Sequence, residues 1–299
     1  MNQDSVQYKL VTFYKYVDID DTLLLQSELL NYCGSYGLKG KIYVASEGIN
    51  ASVSGSAEAV DNFKNYIRSI IFFRDVIFKE DTTGFVAYSK LFVRIKNELV
   101  NLGVPGLTPK NGGKRLKPKD LVSFYSEGRD FIIVDTRNSY ESRIGHFKNA
   151  LLPEITNFRE WPDVVKNLEQ YKDKTVITYC TGGIRCEKAS AYMVEQGFRD
   201  VYQLDGGIVT FLKECPDTVW EGGMFVFDER RVVEANTRED LRYTAKCIHC
   251  GTPTAYHINC HNLDCDKIIV CCHECKVKYD YSCSDECKKA PNRRPKRYG

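Results

Sequence analysis

The chain has 299 residues, which suggests two domains of about 150 residues each or three smaller ones. Its 43% hydrophobic and 27% charged residues exclude a mainly disordered chain. It also lacks a run of about 18 apolar residues that would span a membrane. The formal net charge of +2 restricts any nucleic-acid surface to local patches.

The first predicted domain, residues 1–101, alternates strands and helices. Strands are predicted over residues 8–17, 41–53, 76–79 and 91–96, and a helix over 23–36, where leucines recur near helical spacing. The strand over 41–53 is expected to be interrupted at Glu47-Gly48-Ile49-Asn50. Ser56 is predicted to cap a second helix. The order βαβαββ is typical of a ferredoxin-like α+β sandwich.

Residues 102–120 form a predicted linker with three Pro, four Gly and five Lys or Arg. Pro and Gly interrupt a helix and make a poor strand, so we expect a solvated segment. In an alternative interpretation its basic side chains also contact phosphates. These side chains are Lys110, Lys114, Arg115, Lys117 and Lys119.

The second predicted domain, residues 121–220, has apolar strands that alternate with helices. Residues 131–135, 175–179 and 201–204 are short apolar runs typical of buried parallel strands. A helix is predicted over 187–196, ended by Gly197. This pattern predicts a parallel α/β sheet with helices on both faces.

The loop between the strand at 175–179 and the following helix carries the strongest chemical signal. Its backbone N–H groups can form an anion cradle, and the helix N-terminus and Arg185 add positive charge. A cysteine at that position, Cys180, is expected to be a thiolate at neutral pH and therefore a nucleophile. The alternative is a buried structural cysteine at a strand end.

The second domain resembles a rhodanese domain in three motifs that occur in the family's order. They are Ile133-Val134-Asp135-Thr136-Arg137 with Gly145-His146-Phe147, then Cys180-Thr181-Gly182-Gly183-Ile184-Arg185, and Leu204-Asp205-Gly206-Gly207-Ile208. The resemblance implies a persulfide on Cys180, with its charge held by the amides of Thr181, Gly182, Gly183 and Ile184.

Four further residues of this domain lie near the predicted loop. Arg185 and Cys186 each have two interpretations, and Asp135 and Arg137 are expected to have a supporting role. Arg185 is predicted to stabilise the anionic sulfur, or else to pair with Glu187 or Glu141. We expect Asp135 and Arg137 to brace the loop through hydrogen bonds rather than to act in catalysis. Cys186 departs from the common rhodanese pattern, and either resolves a persulfide as a disulfide or is a buried residue of the first helical turn.

The whole chain resembles the tRNA uridine 5-hydroxylase family, in which a small α+β domain precedes the rhodanese domain and a Cys-rich tail follows it. The matching stretches are Glu47-Gly48-Ile49-Asn50 and the loop from Cys180 to Lys188. The resemblance implies an oxidoreductase of tRNA modification that converts wobble uridine to 5-hydroxyuridine, with molecular oxygen as co-substrate. It also implies that the loop cysteine is required and that the partner is the tRNA anticodon stem-loop. The residues alone do not show how oxygen is activated, since no Gly-x-Gly-x-x-Gly fingerprint is present.

A predicted connector, residues 221–246, leads to a Cys-rich module at 247–287, which contains nine of the 13 cysteines. Two Cys-x-x-Cys pairs have the spacing of metal knuckles, and eight thiolates suit two structural zinc sites. The predicted ligands are Cys247, Cys250, Cys260, Cys265, Cys272, Cys275, Cys283 and Cys287. Cys271 has no assigned role, and histidines are alternative ligands. A metal-free cluster of reduced or disulfide-linked cysteines is the other interpretation.

The C-terminal end is basic: residues 276–299 hold eight Lys or Arg against three Asp or Glu. We expect the tail at 288–299 to bind RNA or to be a disordered solubilising segment, and the first domain to contribute RNA-binding surface too. Tyr256, Tyr279 and Tyr281 are predicted either to stack on bases or to pack around the metal.

The resulting main hypothesis is a cytoplasmic tRNA-modifying enzyme, since the N-terminus lacks a secretory signal pattern. One rival is a persulfide sulfurtransferase, supplied by thiosulfate or a persulfide donor protein. The other is a zinc-dependent RNA-binding scaffold with a degenerate catalytic domain. No membrane partner is expected.

Overall fold

The computed structural model describes residues 7–295, with two compact units. One unit comprises Met1–Asn111 with Asp228–Arg230, and the other comprises Gly112–Phe227 with Arg231–Gly299. The six-part division predicted from sequence is finer than this, and its boundaries stay predictions.

The first unit is a two-layer α+β sandwich. Its elements are β1 (Tyr8–Tyr16), α1 (Thr22–Ser35), β2 (Lys39–Ala45), β3 (Gly48–Ser56), α2 (Ala57–Ser69), β4 (Lys79–Thr83) and β5 (Leu91–Ile95). The sheet order is β4-β1-β3-β2-β5, with β5 parallel to β2 and the other pairs antiparallel. Apolar side chains of both helices, including Leu29 and Phe63, pack with the strands in one core, as in the predicted ferredoxin-like class. Ser56 caps α2 as predicted, accepting a hydrogen bond from the Ala59 N–H at 3.2 Å.

The prediction of one interrupted strand over 41–53 is wrong, because β2 and β3 form a hairpin. The chain reverses at Ser46-Glu47, with Ala45 opposite Gly48. Gly48 has φ 141°, and a Cβ there would lie 2.0 Å from the Lys15 carbonyl oxygen. The element order is therefore βαββαββ. A glycine inside an apolar run does not by itself distinguish a bulge from a turn.

The second unit begins with a parallel α/β domain. Its elements are β6 (Lys114–Leu116), α3 (Pro118–Ser126), β7 (Phe131–Asp135), α4 (Ser139–Ser142), β8 (Gly145–Phe147), α5 (Trp161–Lys166), β9 (Thr175–Tyr179), α6 (Ile184–Glu195), β10 (Asp200–Leu204), α7 (Gly207–Glu214), β11 (Trp220–Gly222), β12 (Met224–Phe225) and β13 (Val232–Val233). The four-stranded sheet has the order β6-β10-β9-β7. All of its pairs are parallel, so the carboxyl ends of β7, β9 and β10 meet at one edge.

The expectation of a poor strand within 102–120 is wrong at its C-terminal end. β6 pairs with β10, with Leu116 opposite Leu204, and Leu116 belongs to the domain core. Pairing and burial there outweigh the unfavourable composition.

The Cys-rich module contains β14 (His257–Asn259), β15 (Ile268–Val270), α8 (His273–Lys278) and α9 (Asp285–Lys289). Its apolar cluster is small, since its buried members are two isoleucines, Ile258 and Ile269, and three cysteines. Such short elements do not bury enough apolar surface to be stable alone. Between residues 7 and 295, no helix is long and apolar enough to cross a membrane.

Candidate active site

Cys180 lies at the carboxyl end of β9, in a loop that ends where α6 begins at Ile184. Gly183, the residue before the helix, adopts the left-handed conformation with φ 99°. This conformation, which favours glycine, lets the Gly183 N–H donate to Cys180 Sγ at 3.1 Å. The sulfur therefore lies at a helix N-terminus, where the partial positive charge favours a thiolate.

Backbone hydrogen bonds from α7 hold the Cys180 loop in place. The N–H groups of Ile208 and Val209 donate to the carbonyl oxygens of Cys180 and Thr181 at 3.0 and 3.1 Å. Gly207 makes this approach possible, because a Cβ there would lie 2.6 Å from the Cys180 carbonyl oxygen. The predicted closing motif thus supports the loop directly.

Arg185 forms a bidentate ion pair with Glu141. Its Nη1 and Nη2 donate to Glu141 Oε1 and Oε2 at 2.7 and 2.8 Å. The Glu141 side chain is 0% exposed and that of Arg185 12%. The pairing that the sequence left open is therefore with Glu141. Glu187 instead accepts from Arg115 Nη2 at 2.6 Å. Pairing with a buried carboxylate holds the guanidinium in one orientation.

The surroundings of Cys180 favour its ionised form. Burial by itself raises the pKa of the thiol. A hydrogen bond from the Cys186 thiol, the charge of Arg185 and the N–H groups of residues 186 and 185 more than offset burial, so the pKa is lowered to about 6. At neutral pH Cys180 is therefore mostly a thiolate.

Cys186 has the opposite character. It is completely buried on the first turn of α6, with its Sγ 3.8 Å from Thr136 Oγ1. Burial, and then the neighbouring Cys180, raise the pKa of Cys186 well above its usual value. The two cysteines thus divide into a thiolate and a thiol that donates to it. Both sequence interpretations of Cys186 remain compatible with this arrangement.

Asp135 and Arg137 form a completely buried ion pair at the end of β7. Arg137 Nη2 donates to Asp135 Oδ2 at 2.6 Å and to the Gly145 carbonyl oxygen at 2.7 Å. Between them, the Thr136 N–H donates to the carbonyl of Tyr179, the residue before Cys180, at 3.0 Å. Thr136 thus joins the end of β7 to the strand that leads into the loop, and the bracing role of Asp135 and Arg137 stays a prediction.

Thr181 Oγ1 is a buried hydroxyl with no hydrogen-bond partner among the described residues. A buried polar atom of this kind is costly unless a ligand or water completes it. Thr181 is therefore a candidate contact for a substrate at the loop.

Two of the five basic residues of the predicted linker form ion pairs within this domain. Lys114 pairs with Asp200 at 2.9 Å, and Arg115 bridges Glu187 and Asp205. The network around α6 also includes Gln203, whose Nε2 donates to Glu187 Oε2 at 3.1 Å. Sequence reasoning did not find this network, nor Thr136 and Gly207 as loop supports, since each depends on neighbours distant in the chain.

The eight predicted metal ligands form two groups in which all four sulfur atoms lie within 4.8 Å of one another. One group is Cys247, Cys250, Cys272 and Cys275, and the other is Cys260, Cys265, Cys283 and Cys287. The groups interleave along the chain, because each takes alternate cysteine pairs.

The sulfur spacing fits tetrahedral zinc. Zinc–sulfur bonds of about 2.3 Å give a tetrahedron with edges of about 3.8 Å. The Cys250–Cys272 and Cys265–Cys283 sulfur distances are both 3.7 Å. Cys271 is buried outside both groups, and its Sγ lies 3.6 Å from the Cys272 carbonyl oxygen.

Among the described residues, the histidines of the module lie against aromatic rings and outside the two cysteine groups: three contact tyrosines, and His257 stacks on Phe225. His249 lies on Tyr279 at 3.7 Å between ring centroids, His273 on Tyr256 at 4.1 Å and His261 on Tyr281 at 4.5 Å. Tyr256 and Tyr281 also line a pocket of about 550 Å³. Its basic lining residues are Arg231, His261, Lys276 and Arg294. Lys296 and Arg297 of the predicted basic tail lie outside the described residues.

A parallel sheet with a cysteine loop between a strand and a helix N-terminus defines a rhodanese-like domain. A family model of that description matches residues 118–214. Models described as a UPF0176 acylphosphatase-like domain and a rhodanese C-terminal region match residues 8–99 and 221–288.

Relatives that match nearly the whole chain identify the family. A tRNA uridine(34) hydroxylase of Staphylococcus saprophyticus is 42% identical over 295 residues, which is 97% of this chain and 92% of the relative. Proteins of the same name from Acholeplasma laidlawii and Bacillus licheniformis are 40% and 41% identical, over 96% and 95% of this chain and 91% and 89% of their own lengths. The chain belongs to the tRNA uridine(34) hydroxylase family, as the sequence motifs indicated.

Proposed function

We propose that this chain hydroxylates the wobble uridine of tRNA to 5-hydroxyuridine, with molecular oxygen as co-substrate and Cys180 as the catalytic residue. The observation that carries the proposal is the Cys180 thiolate at the loop, with the Gly183 N–H 3.1 Å from its sulfur. Membership of the hydroxylase family supports the choice of reaction. The wobble base is unpaired in free tRNA, so it can enter a pocket without melting a duplex.

The proposed reaction begins when the Cys180 thiolate, or a persulfide carried on it, adds to the uracil ring. The addition makes ring carbon 5 electron-rich and open to oxidation. Replacing C–H by C–OH takes one atom of molecular oxygen. The other atom leaves as water after accepting two electrons and two protons from two thiols, which become a disulfide. Loss of the proton on carbon 5 then expels the sulfur from the ring, which restores the uracil double bond and regenerates the thiolate or persulfide.

Separate roles are proposed for the residues around Cys180. Arg185 and the loop amides of residues 181–184 hold the negative charge on sulfur. Cys186 is the thiol that donates to it. Asp135 and Arg137 brace the loop through the end of β7. The Thr181 hydroxyl contacts the substrate.

The other parts of the chain are proposed to bind metal and tRNA. The two cysteine groups would hold structural zinc, which would supply the core that the module's few isoleucines do not. The basic and aromatic pocket bounded by Tyr256 and Lys276 would help to bind the anticodon stem-loop. We propose a cytoplasmic location, where tRNA is found.

The test is a count of tRNA nucleosides by mass spectrometry in a bacterium that lacks its own 5-hydroxyuridine activity. We expect 5-hydroxyuridine with the wild-type chain and none with Cys180→Ser. The matched control is Cys215→Ser, since Cys215 is also a buried cysteine of this domain but lies outside the loop. Full hydroxylation by Cys180→Ser would overturn the catalytic role. A folded wild-type chain that forms no 5-hydroxyuridine would overturn the reaction itself.

The same loop favours sulfur transfer as a second candidate function. A cradle of N–H groups and a guanidinium suits a persulfide, formed when the thiolate takes the outer sulfur of thiosulfate and releases sulfite. Release of sulfite without any need for RNA, together with no 5-hydroxyuridine, would favour this candidate.

A further inference from the structure

The five-stranded sheet of the first unit has one face covered by helices and one face away from them. Side chains alternate between faces along each strand. Val11, Phe13, Ile42 and Val93 pack in the core with α1 and α2. Their neighbours in sequence therefore lie on the opposite face, which we call the open sheet face.

Strand register arranges the open sheet face in rows. One row runs across Tyr14, Asn50, Tyr43 and Arg94, each opposite the next on the neighbouring strand. A second row runs across Lys79, Thr12, Ser52, Lys41 and Phe92. The two rows hold three aromatic, three basic and three small or amide side chains, and no acidic residue.

The basic groups of this face lie beside aromatic rings. Lys79 Nζ is 5.3 Å from the centroid of the Tyr14 ring, and Lys96 Nζ is 5.5 Å from that of Tyr43. The Arg94 guanidinium is 5.0 Å from the Phe92 centroid. Phe92 is 37% exposed and Arg94 is exposed as well, so the edge at β5 is accessible.

Lysines on the helix-covered side of the same unit form ion pairs with acidic residues. Lys9 pairs with Asp61 at 2.7 Å, and Lys64 pairs with both Asp61 and Glu80. On the open sheet face, Asp81 is the acid of β4, and it accepts from Arg230 Nη1 at 2.9 Å. The open sheet face thus presents cations beside aromatic rings that strand register aligns in rows.

We propose that the open sheet face binds unpaired nucleotides of RNA. Rings on a sheet stack on bases, and neighbouring cations contact the phosphates between them. The Tyr88 hydroxyl, which donates to Ser52 Oγ at 2.8 Å, covers the middle of the second row, and Lys41 Nζ lies 5.7 Å from the centroid of the Tyr88 ring. The path that we propose for the RNA therefore follows the first row, from Tyr14 across Tyr43 to Arg94 and the neighbouring Phe92. That the RNA is a tRNA anticodon loop rests on the proposed function.

The test measures binding of a fluorescent anticodon stem-loop to the full chain by anisotropy over a range of salt concentrations. The variant Phe92→Ala/Arg94→Gln is expected to bind about tenfold more weakly or worse, and to release about one fewer counterion. The matched control is Arg68→Gln. Arg68 is also an exposed arginine beside a phenylalanine, 4.9 Å from the Phe78 centroid, but lies on α2. Thermal unfolding checks that each variant is folded.

Equal affinity of the double variant and the wild type would overturn the proposal, and so would equally tight binding of a fully paired RNA duplex of the same length. Failure of the hydroxylation proposal is seen separately. A chain that forms no 5-hydroxyuridine, yet loses loop-RNA affinity only in Phe92→Ala/Arg94→Gln, would retain the open sheet face as an RNA site and lose only the reaction.

Discussion

Cys180 and the cysteines of the C-terminal module occupy contrasting surroundings. Cys180 is 1% exposed and faces N–H groups and a guanidinium, at the end of a sheet whose core is formed by other residues. Each of the eight grouped cysteines faces three other sulfur atoms, and cysteines are most of the module's small buried cluster. The fold positions Cys180 without needing its sulfur, whereas we propose that the module needs its sulfurs, as zinc ligands, to stay folded. Burial and neighbouring charge, not residue type, decide which role a cysteine takes.

The largest expected effect follows from breaking a cysteine group. Cys272→Ser should reduce bound zinc from about two ions per chain to about one, and should unfold the module locally. Structural zinc contributes roughly 10–16 kcal/mol of apparent binding energy to such modules. Metal analysis and hydrogen exchange over residues 247–295 would measure both changes. Cys271→Ser is the matched control, since Cys271 is adjacent and buried but outside both groups. If the wild-type chain binds no metal and its module is still protected from hydrogen exchange, the cysteines of the module are not needed as metal ligands.

A smaller effect is expected at the loop when Arg185 loses its charge. Arg185→Met leaves Glu141 buried without its partner, which should lower the free energy of unfolding by about 3–5 kcal/mol. The pKa of Cys180 should rise from about 6, since one of its stabilising charges is lost. Chemical denaturation measures the first change, and ultraviolet absorbance of the thiolate, taken relative to Cys180→Ser, measures the second.

The pH dependence of stability follows from the same ionisation. The folded pKa of Cys180 is lowered from 9.0 to about 6, so deprotonation favours the folded state. This contribution is complete above pH 9.0 and is lost as the pH falls towards 6. It should shrink in Arg185→Met. The double variant Glu141→Leu/Arg185→Met should recover most of the stability but keep the raised pKa. If the Cys180 thiolate of these two variants titrates at the same pH as in the wild type, Arg185 does not stabilise it.

The smallest expected effect is at Gly207. Comparing it with Gly197 separates the support that α7 gives to the Cys180 loop from the strain of a positive φ. Gly207→Ala and Gly197→Ala both place alanine at positive φ, +67° and +87°, which costs about 1–3 kcal/mol each. Only the Gly207 Cβ would meet the loop, 2.6 Å from the Cys180 carbonyl oxygen, whereas nothing lies within 4 Å at Gly197. We expect Gly207→Ala to be less stable than Gly197→Ala by about 1–2 kcal/mol, because displaced backbone adds strain. We also expect it alone to shift the thiolate titration. Equal losses and equal titrations would show that α7 does not hold the loop.

Much of the fold was predictable where local signals and burial agree. Ser56 before an apolar helical pattern indicated the cap of α2, and the apolar runs at 131–135 and 175–179 match strands β7 and β9. The hairpin at Ser46-Glu47 and strand β6 were missed. The hairpin was missed because a glycine inside an apolar run does not distinguish a bulge from a turn. Strand β6 was missed because it depends on pairing with the distant strand β10, which composition does not reveal.

The sequence by itself determined the chemistry that is available: a cysteine before two glycines and an arginine, and cysteine pairs at metal-knuckle spacing. Local spacing suffices for these, because a loop and a knuckle are each built within a few residues. Only the tertiary structure decided that Arg185 pairs with Glu141 instead of Glu187, and that α7 holds the loop through Gly207. It also decided which cysteines join each group and which strands form the open sheet face. Those choices join residues far apart in the chain, so they depend on packing and strand register.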